Sequence, residues 1–411
     1  MVQELALGAI LLVFAFTFWR PLSRVRTVLG IPHLVSTGHA FLVLGYLFGL
    51  AAGERSRALI DDLGPVVAFV AGWVGFATGM RFEVRVLRAV PKSYIAVSLT
   101  PALAACTVVG ALGAVVLAYT GVPLQAAWLA AMVLAAAGAS SGPTLAALLR
   151  VRRAGRSSHA RPLLRLIEFS SNLDDILVIL LAILAFALFR TTDDPVRPEV
   201  LIAAALGGGA LFGVITWLFL GGKAREDERL LLGLAMLAFT AGFAGWLHFS
   251  PAAVGAIAAM VLVNLPGERD QQLIGAIRRV ERPAVVILMT VVGVHAAGAM
   301  NTTLLALIVL LTLVRLLTKR LTTTFLPVSV AGGAAANRRW GSGLAAQGTL
   351  GLIVALSYFH IWRDDVAETV LAAVALASVI NELIAPWLLL RLIRRAELNR
   401  IGQSPARGGA A

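Results

Sequence analysis

The sequence predicts an all-α polytopic membrane protein with about thirteen transmembrane helices in two inverted six-helix repeats, broken helices 5 and 12 crossing at mid-membrane. Three observations lead there. Apolar runs about twenty residues long recur through a 411-residue chain that is 59% hydrophobic and 14% charged, and such runs match the thickness of a bilayer. Lys and Arg gather in alternate gaps between the runs, as cytoplasmic loops require. Helix breakers and mid-span acids recur at matched spacing in the two halves.

Hydropathy and breakers place the spans at 5–19, 33–50, 63–80, 93–119, 125–149, 165–189, 199–220, 230–247, 250–265, 283–300, 302–321, 342–359 and 367–393. The first continues into "RPLSRVR" and another hydrophobic segment with no small-residue cleavage site, so it reads as span 1 and not as a cleaved leader. Residues 1–190 form the first repeat, 199–220 a linking helix, 229–395 the second repeat and 396–411 a short cytoplasmic tail, all within one membrane domain. A single cysteine, Cys106, excludes a disulfide framework or a thiolate metal site within one chain.

Topology tests the count. One side of the membrane carries 29 basic residues and the other 5, with Lys319 and Arg320 counted at the end of span 11 and Arg315 left inside it. A miscounted helix would scramble that alternation. An odd number of spans therefore follows, with the N-terminus outside and the C-terminus cytoplasmic, in a plasma membrane of the bacterial inner-membrane type. The net charge of +13 is thereby assigned to topology, and the partner is the lipid bilayer, not nucleic acid.

Acids inside the spans are sparse. Asp174 and Asp175 lie in span 6, Glu382 in span 13, and Glu168 about two turns on the cytoplasmic side of Asp175. Asp174 is about nine residues into its span, roughly 14 Å and close to mid-bilayer, where a charge costs roughly 2.5–3.5 kcal/mol even on lenient scales. Span 5 reads "AAAGASSGPTLAALL", in which Gly138, Gly142 and Pro143 interrupt the backbone ladder and Ser140, Ser141 and Thr144 can satisfy the freed groups. Span 12 reads "GSGLAAQGTLGLIVAL", with Gln347, Gly348 and Thr349 as the counterpart. Ser141 to Asp174 is 33 residues and Gly348 to Glu382 is 34. Each half thus ends in a broken helix followed by a helix with a mid-membrane acid, and paired interruptions of this kind point to a transport site at the repeat interface.

Further segments fall in a recognisable order. "GIPHLVSTGHAFLVLGYLFG" opens on Gly-hydrophobic-Pro, "GWVGFATGMRFEVRVLR" is glycine-rich and ends in basic residues, "HFSPAAVGAIAAMVLVN" has small residues at regular spacing, and "SNLDD" carries the acid pair. In that order they resemble the monovalent cation/proton antiporters with the sodium/proton exchanger fold, paired-aspartate type. The resemblance implies that Asp175 is the ion-binding carboxylate and that Asp174 contacts a basic residue on span 11. It also implies a homodimer, with spans 1 to 3 and 8 to 10 as dimer domain and spans 4 to 6 and 11 to 13 as moving core. Paired-aspartate members commonly carry Lys at the basic position, where this chain offers Arg315 as the best-placed residue and Lys319 one turn nearer the cytoplasm. Glu168 and Asn172 are similar to the Glu and Asn-Asp pattern of the electroneutral branch.

The residues themselves give a mechanism. Neighbours on a helix point about 100° apart, so the two aspartates have different partners. Asp175 shares a face with Ser171 and Glu168, and Asp174 faces elsewhere, toward Arg315. A carboxylate held out of water is neutralised by a proton or by a small cation, and competition between them is an exchange mechanism when only loaded forms cross. Broken-helix ends with Ser and Thr oxygens supply the hard ligands that suit Na+ or Li+. An Arg315–Asp174 pair would be a fixed latch and exchange one proton per cation, because guanidinium does not deprotonate.

K+/H+ exchange or K+ efflux on the same fold is the alternative. Its relatives often carry a C-terminal nucleotide-binding domain, whereas this chain ends about 18 residues after span 13. Organic-anion transport is disfavoured by the acid pair. An intramembrane aspartyl protease needs two carboxylates about 3 Å apart sharing a proton, which neighbours on one helix do not offer, so no enzyme and no cofactor is expected. His39 and His295 read as satisfied core histidines, and Glu382 as a partner for a neighbouring helix.

Overall fold

The computed structural model describes residues 31–54, 60–142, 161–189, 196–220, 226–266, 271–299, 301–326 and 339–401. Among these the regular structure is entirely helical. Predicted span 1, Pro143 and Thr144 lie outside the described residues.

Spans 2 to 13 all have helical counterparts. Span 2 is α1 (Ile31–Thr37) and α2 (His39–Ala52), separated by Gly38 in the left-handed region at φ 91. Then follow α3 (Gly64–Gly79), the short α4 (Val84–Arg88), α5 (Lys92–Tyr119), α6 (Leu124–Ala139) and α7 (Arg161–Leu188). The linking helix is α8 (Pro198–Leu220), and the second half opens with α9 (Glu226–Trp246), α10 (Pro251–Asn264) and α11 (Gln271–Ala296). Span 11 is α12 (Thr302–Val309), a π-helical turn (Leu310–Val314) and α13 (Arg315–Phe325). Span 12 is a 3-10 turn (Trp340–Leu344) and α14 (Thr349–Trp362), and span 13 is α15 (Asp365–Ile401).

The two tightest predicted junctions are real turns. His248 adopts a positive φ of 55 between α9 and α10, and Asn301 caps α12 by accepting from the Leu304 amide at 2.8 Å. Two boundaries differ from expectation, the starts of spans 10 and 12. The helix of span 10 starts at Gln271, a dozen residues before the predicted 283, because its first turns carry Arg278, Arg279, Glu281 and Arg282, which hydropathy discounts although the helix continues. Span 5 is interrupted after Ala139, at the Gly138–Gly142 break that the sequence marks. Span 12 becomes α-helical only at Thr349, seven residues after its predicted start at 342.

Packing sorts the helices into two groups. In one, α2 packs most extensively on α11 and α3 on α10, with α8 and α9 alongside. In the other, α5, α6 and α7 pack with α12 to α15. Under a six-helix repeat, spans 2 and 10 exchange with spans 9 and 3, so the two dominant contacts of the first group are copies of one another, consistent with the inverted repeat. Gly75 and Gly79 let the backbones of α3 and α10 touch, since a side chain on either would run into the Ala252 or Ala256 main chain. Large apolar side chains such as Val115, Leu211, Phe239 and Leu305 stand exposed on the outer surface, an arrangement suited to lipid and not to water.

Two of the shorter helices, α6 and α14, belong to the interrupted spans. At 1.5 Å per residue, α6 with 16 residues reaches about 24 Å and α14 with 14 about 21 Å, against a hydrocarbon core of about 30 Å. Each is too short to span that core alone, and the interrupted segments at their ends meet.

Candidate functional site

Where α6 ends, Ser140, Ser141 and Gly142 run extended past the non-helical segment Ala345 to Gly348 ahead of α14. The Gly142 amide donates to the Ala346 carbonyl at 2.9 Å. Glycine is needed where the segments touch. A Cβ on Gly142 would lie 2.6 Å from the Gln347 carbonyl oxygen, and one on Gly348 would press on the Ser140 hydroxyl and lie 2.8 Å from the Ser141 carbonyl oxygen.

Broken helices leave carbonyls without partners, and Arg315 takes up five of them. Its Nε donates to Gly138 O at 3.0 Å, Nη1 to Ala345 O at 2.8 Å, and Nη2 to Ser140 O, Ala346 O and Leu344 O at 2.6, 2.9 and 3.3 Å. The guanidinium fork is committed to the main chain of both interruptions and neutralises the negative ends that face it. Arg315 follows directly on the π-helical turn, whose Thr312 hydroxyl bonds back to Ile308 O at 2.7 Å; such turns collect at functional sites.

The partner of Asp174 is therefore Lys319, one turn further along, and not the Arg315 that the sequence favoured. Lys319 Nζ lies 3.3 Å from Asp174 Oδ2, and donates to Ser141 Oγ at 2.7 Å and Ala139 O at 2.6 Å. Ser141 in turn donates to Asp174 Oδ2. Lys319 is fully buried, so its place among the topological basic residues was wrong, although 28 to 5 leaves the asymmetry intact.

Asp175 is also buried, and among the described residues no hydrogen bond reaches its side chain. The Arg81–Glu281 pair, closed at 2.5 Å, belongs to the other packing group. Ser171 donates to Ser141 O at 3.0 Å, which ties α7 to the broken segment. Glu168 is exposed and Asn172 half-buried, without a described contact to the aspartates. Thr349 is the first residue of α14. Ser140 Oγ and Asp174 Oδ1 are buried and have no hydrogen-bond partner among the described residues.

The second crossing element has its own polar set, part of which the sequence reading missed. Asn381 Nδ2 donates to Gln347 Oε1 and to Leu311 O, both at 3.2 Å, and Glu382 pairs with His33 at 2.9 Å. Written under one another, "SSNLDD" (170–175) and "ASVINE" (377–382) show Asn381 in the place of Asp174 and Glu382 in that of Asp175. That alignment was the available signal for Asn381. For His33, 349 residues from its partner, there was none. His39 is buried beside Thr37, its Nδ1 3.0 Å from the hydroxyl, and His295 is buried on α11.

Comparisons with known proteins agree with this arrangement. No curated protein sequence matches the chain. Its fold is similar to that of the sodium proton antiporter MjNhaP1 from Methanocaldococcus jannaschii at pH 8, with a TM-score of 0.62 and 16% identity over 95% of this chain and 99% of that one. A second structure of that antiporter, from an electron-microscopy map, gives a TM-score of 0.58 and 14% identity over 99% of both chains. The model of the sodium/hydrogen exchanger transmembrane family matches residues 76–391, which takes in the acid pair, both interruptions and both buried cations. With that match over most of its length, the chain belongs to the sodium/hydrogen exchanger family.

Proposed function

We propose that this protein is a secondary active transporter that exchanges Na+, and also Li+, for protons by alternating access, the two cargoes competing at Asp175. One observation carries the reading. Two adjacent buried carboxylates share a water-poor crossing with two buried basic groups, and one of these, Arg315, is spent on carbonyls. Lys319 makes its ion pair with Asp174 and also donates to Ser141 Oγ and Ala139 O. Asp175 is left to be neutralised by what arrives, a proton or a small cation. Asp174 Oδ1 and Ser140 Oγ offer further hard oxygen ligands.

Contact with lysine instead of arginine changes the stoichiometry expected from sequence. A desolvated ammonium can release its proton and a guanidinium cannot. A cation drawn between the aspartates competes with Lys319 for Asp174, and Lys319 then gives up a proton as Asp175 gives up another. Two protons move per cation, one net charge crosses, and each 100 mV is worth about 2.3 kcal/mol. Arg315 stays in place and holds the broken ends together. The two packing groups slide as bodies, with the Lys- and Arg-poor face outside and the group of α2, α3, α10 and α11 forming the homodimer contact.

The test is reconstitution into vesicles with an internal pH dye, with Na+, Li+ and K+ added in turn. Cation-triggered proton movement with Na+ and Li+, lost in Asp175→Ala, is expected. Movement with K+ alone would overturn the cargo. An imposed membrane potential should change the rate in wild type and leave Lys319→Arg unmoved; a wild type indifferent to potential would overturn the two-proton scheme.

A further inference from the structure

Away from the crossing, on the Lys- and Arg-poor membrane face, three metal-ligating side chains converge. Asp61 precedes α3, His295 ends α11 and His360 lies in the last turn of α14, and one ligand atom from each falls within 4.8 Å of the others. His295 Nε2 is 3.9 Å from Asp61 Oδ1, and the two imidazoles meet edge to face at 5.6 Å. His360 is preset as a ligand. Its Nδ1 lies 3.1 Å from Leu356 O, and a carbonyl only accepts, so the ring proton is on Nδ1 and Nε2 presents a lone pair. That Nε2 is buried and has no hydrogen-bond partner among the described residues. A histidine whose other ring nitrogen donates to a backbone carbonyl is the arrangement found behind metal-bound imidazoles.

We propose that Asp61, His295 and His360 bind a single Zn2+ ion that fastens the two packing groups of this protein together. Two imidazoles and a carboxylate are a common three-ligand set for zinc, with a fourth position left to water. Zinc bonds of about 2.0–2.2 Å require the ligand atoms to close by roughly an ångström, within reach of small side-chain rotations. Arg363, at 3.8 Å from Asp61 Oδ1 and more than half exposed, is the one described cation to be displaced, and it can swing into solvent. Asp61 and His295 belong to the group of α2, α3, α10 and α11, and His360 to the group that carries the aspartates. A bound ion therefore bridges surfaces that slide in the exchange cycle, and it arrests the cycle. The binding site stands on its own geometry, whereas the arrest rests on the alternating-access reading above.

Zinc binding is measured first, on tag-free full-length protein in detergent against a chromophoric zinc chelator. One Zn2+ per chain is expected, weakened at least about tenfold in His360→Gln and in Asp61→Asn. Asp61→Asn alters only a partly exposed carboxylate, so it keeps the test open if a histidine variant misfolds. No stoichiometric binding by wild type, or binding that survives both substitutions, would overturn the site. In vesicles with zinc on both sides, exchange by wild type should slow several-fold and that by Asp61→Asn should not. Exchange that is unaffected while zinc is bound would overturn the arrest and leave the site standing, and a protein that binds zinc but moves no protons would count against the antiport reading alone.

Discussion

The two interruptions that cross at mid-membrane are built on one plan and filled differently. In the first half, Ser141 holds Asp174 across 33 residues; in the second, Gln347 holds Asn381 across 34. Beside them stand Asp175, with no hydrogen bond among the described residues, and Glu382, closed by His33 at 2.9 Å. Both halves supply a crossing with spare dipoles, and of the two acids at equivalent positions Glu382 has its partner in His33 whereas Asp175 has no hydrogen bond among the described residues. Under the proposed exchange, that local difference makes one half reactive and the other a support.

The largest effect should come from exchanging charge for amide at the two equivalent acids. Asp175→Asn should reduce cation-driven proton movement to the level of empty vesicles. Glu382→Gln should retain exchange and lose about 1–3 kcal/mol of stability, read as a lower unfolding temperature; equal loss of transport in both would erase the distinction between the halves. Next is Arg315→Met, which leaves five carbonyls of both interruptions without their donor. It should cost at least about 3 kcal/mol, and exchange should disappear with the fold and not ahead of it. Smaller effects should follow from Gly142→Ala and Gly348→Ala, each about 1–3 kcal/mol from main-chain crowding. Thermal unfolding should find the two similar, because the contact they line is reciprocal. The smallest should separate Ser171→Ala from Ser378→Ala. Ser171 on α7 bonds to the Ser141 carbonyl in the break of span 5 at 3.0 Å and its loss should cost about 1 kcal/mol, whereas Ser378 bonds within its own helix at 2.9 Å and should cost less.

Much of this was legible in the chain because the bilayer imposes a simple code. Apolar length, alternating basic loops and the isolated acids fixed the spans and pointed at Asp174 and Asp175. Gly138, Gly142 and Gln347–Gly348 marked the interruptions, since glycine and amide have little other reason to sit in mid-span. What was not legible depends on where a side chain reaches in three dimensions. Arg315 looked better placed for Asp174 than Lys319 because it lies deeper, and nothing in one dimension shows that five carbonyls already claim it. The π-helical turn before it is spelled "LLTLV", a run with no feature that distinguishes it from ordinary helix. The first turns of α11 were lost for the opposite reason: their charges hide a continuing helix from any hydropathy window.

The bonds that Arg315 makes to Gly138 and Ser140 span 177 and 175 residues of chain. At roughly 5–20 residues per second, a ribosome delivers α6 some 9–35 s before the arginine that completes its end. For that interval the carbonyls of a half-built helix have to be satisfied by water or by the insertion machinery. The centre of this protein thus matures late, and a nascent chain released before span 11 would carry the acid pair without the residue that holds its surroundings in shape.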